Sequence, residues 1–243
     1  MAGKPRGRSA SKSIHGKRFP GESADYRAAR DSLLREEMEL RRSIEKVAEL
    51  RRALPAGGAV SQDYLFEEGA ADLAESQTVR QVRMSELFRS GWASLVVYNF
   101  MYGPAMEVPC PMCASMLDGL NGNALHAAQR TNLVVVAKSP IHRIRAFARG
   151  RGWRNLRLLS SADNSYNRDY HGEDEKGVQQ PMLNAFVKRD GVIRHFWASE
   201  LLFAPTDPGQ NPRHVDLIWP LWNVLDCTPE GRGKDWYPKL SYG

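Results

Sequence analysis

The chain has 243 residues, of which 42% are hydrophobic, enough to bury a sizeable core; 34 basic against 28 acidic residues give a net charge of +6 at pH 7. Residues 1–20 hold Lys4, Arg6, Arg8, Lys12, Lys17 and Arg18 and no acid, so the rest of the chain is neutral and the excess charge belongs to a tail. A neutral body argues against nucleic acid as a partner, and three cysteines, two of them in one motif, do not make a secreted disulfide framework.

Residues 1–21, rich in Gly, Ser, Pro and Lys/Arg, are expected to form a disordered basic tail. The tail lacks the apolar stretch of a secretory signal, and no segment reads as a membrane span; both point to a cytoplasmic location. An N-terminal arm follows over 22–58. Within it Ser23 to Leu54 reads as one long helix, capped by Ser23 and stopped by Pro55 and Gly57-Gly58. Tyr26, Leu33, Leu40, Val47 and Leu54 recur every seven residues. That stripe suits packing along the helix's own domain or the seam of a homodimer.

A domain is expected over 59–243. Tyr64-Leu65-Phe66 and Val79 to Val82 read as short strands, Ser85 to Phe88 as a helical turn, and Ser94 to Phe100 as a buried strand. A helix from Cys113 to about Gln129 follows, then a strand over Leu133 to Ala137 and a helix from Ile141 that ends at Gly150 or Gly152. Leu156 to Leu159 reads as a further strand, and residues 161–180 as a polar connection. Pro181 opens a strand over Met182 to Val187; Arg189-Asp190-Gly191 marks a hairpin turn, and Val192 to Trp197 runs back. Val215 to Leu225 reads as an apolar helix containing Pro220. Strands alternating with helices imply a parallel core with an antiparallel edge, an α/β fold built on a central mixed sheet.

Cys110-Pro111-Met112-Cys113 carries the chemistry. It lies between the strand ending at Phe100 and the start of a helix, where free N–H groups and the helix dipole stabilise a thiolate. Pro111 suits the first turn, since its missing N–H costs nothing there. Cys110 is therefore the candidate nucleophile, and Cys113, one turn away, the thiol that resolves a mixed disulfide. Pro111 and Met112 tune the pair, and Tyr98, Tyr102 and Trp153 are candidates to wall it. Zinc needs four ligands and the motif supplies two; His126, His171, His195 and His214 are scattered, so no metal is expected. No glycine-rich phosphate loop appears, and no cofactor is expected. Cys227, after an apolar helix, reads as a small buried residue.

Strand, Cys-x-x-Cys helix, strand, helix, proline-led hairpin and closing helix resemble the thioredoxin-like superfamily. The run Gln180-Pro181-Met182-Leu183-Asn184-Ala185-Phe186-Val187 resembles the hairpin that begins with a cis-proline, which implies that Pro181 lies beside Cys110 and shapes the substrate groove. More closely, Arg51-Arg52-Ala53-Leu54-Pro55, Val97-Tyr98-Asn99-Phe100-Met101-Tyr102-Gly103-Pro104 and Thr228-Pro229-Glu230-Gly231-Arg232-Gly233 resemble a family of unknown function described as dithiol-disulfide oxidoreductases. The resemblance spans 22–243. It implies a disulfide or thiol, on a protein or a small molecule, as substrate and a separate reductant as partner.

Two departures qualify the resemblance. Thioredoxins carry a buried acid in the strand before the motif, and the comparable position here is read as Asn99, which cannot ionise. Glu107 is the nearest carboxylate and the candidate substitute proton acceptor; a solvated loop acid is the competing reading. The second departure is the nine residues between Phe100 and Cys110, a longer loop of the kind peroxiredoxins have. Their pattern calls for a proline at position 103 and a hydroxyl at 107, where this chain has Gly103 and Glu107. A thiol peroxidase and a non-catalytic thioredoxin-fold binding or redox-sensing module stand as the alternatives to a dithiol oxidoreductase.

Overall fold

The computed structural model describes residues 13–210, 213–233 and 236–242, so residues 1–12 of the expected tail lie outside the described residues. The chain divides into two compact units, Met1–Pro55 and Ala56–Gly243. In the first, Ser23 holds an extended backbone and its Oγ accepts the Tyr26 N–H at 3.1 Å, which starts helix α1 (Ala24–Arg52). Pro55 follows closely on its end. The seven-residue stripe of Tyr26, Leu33, Leu40, Val47 and Leu54 is exposed, whereas Arg27 and Asp31 on another side are buried and paired at 3.2 Å. No helix among the described residues is long and apolar enough to cross a membrane.

The second unit is built on seven strands: β1 (Leu65–Gly69), β2 (Val79–Arg83), β3 (Ser94–Asn99), β4 (Asn132–Ala137), β5 (Leu158–Ser160), β6 (Met182–Arg189) and β7 (Val192–Ala198). Their order in the sheet is β2-β1-β5-β4-β3-β6-β7. Strands β3, β4 and β5 run parallel, with β6 antiparallel to β3 and β7 antiparallel to β6. The middle of the sheet falls to Leu-Val-Val-Tyr and Leu-Val-Val-Val, continuous apolar runs that tolerate burial on both faces. The β6–β7 turn places Asp190 at φ 50° and Gly191 at φ 76°, the left-handed pair that matches strand twist in a two-residue hairpin. Ahead of β1, the chain runs along β7: the Val60 N–H donates to the Ile193 carbonyl at 2.9 Å and the His195 N–H to that of Gly58 at 3.0 Å. Gly57 permits this approach, since a Cβ there would sit 2.0 Å from the His195 carbonyl oxygen.

Helices α2 (Pro111–Ala127), α3 (Ile141–Arg151) and α5 (Pro220–Leu225) belong to one core, with Tyr98, Phe100, Val135 and Ala137 from the sheet and Trp153 beneath. The opposite sheet face, with Leu95, Val97, Val134, Val136 and Phe186, packs against Tyr64, Phe66, Met84, Leu87 and Tyr166. Order and direction of β4-β3-β6-β7, with α2 directly after β3, make this a thioredoxin-like α/β fold, extended by the β1–β2 hairpin beside β5.

Several expectations change. The segment over Val215 to Leu225 is a 3-10 turn (Asp216–Ile218) followed by α5, because Pro220 has no N–H to continue a helix and instead opens a new one at its first position. Helix α2 begins at Pro111, earlier than the apolar pattern suggested, and Gly119 lets α5 close on it: a Cβ there would meet Pro220 Cγ at 2.9 Å. Cys227 is exposed, not buried. It follows the short α5, and its thiol donates to the Asn223 carbonyl at 3.3 Å. No peptide bond among the described residues is cis, so Pro181 follows a trans bond. The polar connection over 161–180 folds into a short helix α4 (Tyr166–Asp169) and a buried amide network.

Candidate active site

Strand β3 ends at Asn99, and the long loop that follows is closely tied down. Phe100 N–H donates to the Val136 carbonyl at 2.8 Å, and Cys110 N–H returns to the Met101 carbonyl at 3.0 Å, closing the loop at its base. Ser139, between β4 and α3, donates its N–H to the Tyr102 carbonyl at 2.9 Å and its hydroxyl to that of Gly103 at 3.1 Å. Arg143 of α3 lays its guanidinium 4.8 Å from the Tyr102 ring centre and donates to the carbonyls of Pro104, Met106 and Glu107. The loop that lengthens the path to Cys110 is thus fastened to α3 by one arginine and one serine. Sequence reading missed both, because nothing local marks a side chain that bonds distant carbonyls.

Cys110 is the N-cap of α2 and is half-buried, with Pro111 at the first helical position. Its thiol is brought down to about 6. The largest cause is the hydrogen bond from the Cys113 thiol; burial opposes it, and the backbone N–H groups of Cys113 and Met112 add to the lowering. Cys113 is buried at 2% exposure, and both thiols are free. Burial pushes the Cys113 thiol up, and the proton it shares with Cys110 pushes it the same way; hydrogen bonds from the Tyr98 hydroxyl and the Met101 N–H act against them. The site therefore holds one proton between two sulfurs, with the outer one as thiolate.

Tyr98, and not Asn99, lies on the Cys113 side of β3. Successive strand side chains point to opposite faces, so Tyr98 shares a core with Cys113 and its hydroxyl reaches that sulfur. Asn99 points the other way, accepting from Asn184 Nδ2 at 3.3 Å and donating to Asn167 Oδ1 at 3.4 Å. The position on the Cys113 side of the strand is 98, not 99. Alternation counted back from Phe100 could have shown this.

The remaining candidates separate. Glu107 is exposed, and among the described residues its side chain has no hydrogen-bond or ion-pair partner. Pro111 is exposed beside Cys110, and Met112 is half-buried against the α2 core. Tyr102 is buried against Phe100, Phe147 and Arg143, and Trp153 is buried with its Nε1–H on Asp118 at 2.7 Å; both underlie the site rather than face a groove. Pro181 is half-buried just before Met182, which pairs with Asn99 at the sheet end from which the chain leaves toward Cys110. No group of three or more His, Cys, Asp or Glu among the described residues could hold a metal. A concavity of about 790 Å³, lined by Tyr170, His171, Asn184, His195, Leu201 and Phe203, lies by Asn184, a side chain of the Asn99 network rather than the dithiol core.

Residues 17–242 match a family model described as "Bacterial protein of unknown function (DUF899)". No curated protein matches. Among solved structures, the chain is similar to thioredoxin peroxidase I of Plasmodium yoelii (17% identity, 78% of this chain and 99% of that one, TM-score 0.44). It is also similar to a reduced 2-Cys peroxiredoxin of Plasmodium vivax (15% identity, 70% and 98%, TM-score 0.43). A third is peroxidoxin BcpB of Mycobacterium tuberculosis (18% identity, 71% and 98%, TM-score 0.42). Likeness at this distance says nothing of the reaction, which must come from the residues.

Proposed function

The chain belongs to the bacterial protein family of unknown function DUF899, and we propose that its Cys110–Cys113 pair makes it a thiol-disulfide oxidoreductase. The observation that carries this reading is the thiol of Cys110, lowered to about 6 at the N-terminus of α2 and bonded by a second thiol one turn away. At pH 7 such a group is about nine-tenths thiolate, the form that attacks a disulfide.

The chemistry balances without a cofactor. Cys110 thiolate attacks one sulfur of a substrate disulfide R–S–S–R′; a Cys110–S–S–R bond forms and R′–S⁻ leaves. Cys113 then loses its proton and attacks the Cys110 sulfur. The Cys110–Cys113 disulfide forms, R–S⁻ leaves and takes up a proton. Two electrons pass from the cysteine pair to the substrate, and a thiol reductant must restore the pair. With the donor and acceptor exchanged, the same atoms run the reverse reaction.

Trapping tests this. In a Cys227→Ser background, which removes the exposed third thiol, Cys113→Ser is expected to accumulate mixed disulfides through Cys110, and Cys110→Ser to form none. Absence of adducts with small disulfides and with proteins of a cell extract would sink the reading. Peroxide consumption whose first turnover survives Cys113→Ser would assign a peroxidase instead.

A further inference from the structure

Resolution of the mixed disulfide asks the buried Cys113 to carry a negative charge at 2% exposure, where a bare thiolate is strongly disfavoured. We propose that Tyr98 is the catalytic hydrogen-bond donor of that step, its phenol and the Met101 N–H together holding the Cys113 thiolate while it attacks Cys110. The proposal rests on the dithiol reading above.

Tyr98 is fixed for this part. It lies in the middle of the sheet, opposite Val135 on β4 and Leu183 on β6, and only 1% of it is exposed. Its ring belongs to the buried core that includes Cys113, Met116 and Leu117, and its hydroxyl interacts with the Cys113 sulfur. Burial, with the negative charge of the neighbouring sulfurs, keeps the phenol well above its usual range, so it stays protonated and keeps a proton to donate. A carboxylate in this place would accept the Cys113 proton and become a neutral acid. A phenol does the opposite: it takes no proton and stabilises the anion. The proton of Cys113 therefore leaves with the products. One S–S bond breaks, another forms, and the departing R–S⁻ becomes R–SH.

The test uses the full chain with Cys227→Ser and a chromogenic aryl disulfide. The first equivalent of aryl thiolate reports attack by Cys110, and the second reports resolution by Cys113. With Tyr98→Phe the first release is expected to change little. The second slows roughly ten- to hundredfold, the worth of one hydrogen bond to a charged group, and its pH midpoint moves about one to two units alkaline. A second readout needs no turnover: the ¹³Cβ titration of Cys113 in a Cys110→Ser protein moves to higher pH with Tyr98→Phe. Should that variant not fold, 3,5-difluorotyrosine at position 98, a more acidic donor, is expected to move the titration the other way. An unshifted titration overturns the part given to Tyr98. A protein with Tyr98 intact that releases no second equivalent overturns the dithiol reading itself, and the resolving step with it.

Discussion

Removing Cys113 should cost Cys110 its low pKa, and the size of the change can be worked from the site. Cys113→Ala deletes the thiol that donates to the Cys110 sulfur, the largest lowering influence, but leaves the backbone N–H groups of residues 112 and 113 in place. A hydrogen bond to a charged group contributes about 1.5–3 kcal/mol, or roughly one to two pKa units. Cys110 is then expected to titrate between about 7 and 8 rather than at about 6. At pH 7 its thiolate fraction falls from about nine-tenths to between about one-half and one-tenth. Alkylation rate at a single pH would hide this, because a thiolate of higher pKa is also more nucleophilic, with a Brønsted slope of about 0.4–0.5. The assay is therefore ultraviolet absorbance of the thiolate against pH, in the reduced Cys227→Ser protein. A Cys113→Ala variant still titrating near 6 would refute the reasoning and leave the helix N-terminus as the sole cause.

Other perturbations follow from the same contacts. Because the Cys110 thiol is lowered by folding, its contribution to stability is fully present above the unfolded value of about 8.5 and is lost as pH falls through about 6. Urea titrations of the reduced protein should accordingly show its margin over Cys110→Ser growing between those limits; a margin independent of pH would contradict the assignment. Asp118→Ala strips the acceptor from the buried Trp153 Nε1–H and from Arg151, and should cost about 2–3 kcal/mol in urea unfolding. Gly172→Ala would push a Cβ to 2.2 Å from Asn99 Nδ2, so a loss of about 1–3 kcal/mol is expected with Cys110 reactivity retained. A variant as stable as the parent would mean that the amide network yields freely.

What the sequence disclosed was whatever has a local cause. Runs such as Leu133 to Ala137 can hardly be anything but a buried strand, a serine before a periodic stretch starts α1, and Asp190-Gly191 dictates a hairpin. Cys110 at a helix start needed only its neighbours. Less legible were features set by distant partners. Residues 161–180 look like a solvated loop, yet Asn167 and Gln179 are buried because their amides bond one another and Asn167 also meets Ser161 and, from β3, Asn99. The choice between Tyr98 and Asn99 turns on a single residue of strand register, which a carboxylate would have announced and an asparagine beside a tyrosine does not. Arg143 looked like any helix-surface arginine until the loop carbonyls it collects were in place.

The segment over Gly57 to Val60 that lies along β7 has a consequence for assembly. A sheet's outer strand offers unpaired N–H and C=O groups to any extended chain, and proteins that stay apart must blunt it. Here the β7 margin is already occupied by the protein's own backbone, through Val60 and Gly58. The opposite margin is β2, where Arg80 and Arg83 are exposed and Arg80 is tied across to Glu68 at 2.9 Å. A polypeptide or a second copy seeking to extend this sheet finds one side filled and the other guarded by positive charge. To add a strand at β7, Gly58 to Val60 must first be displaced from Ile193 and His195.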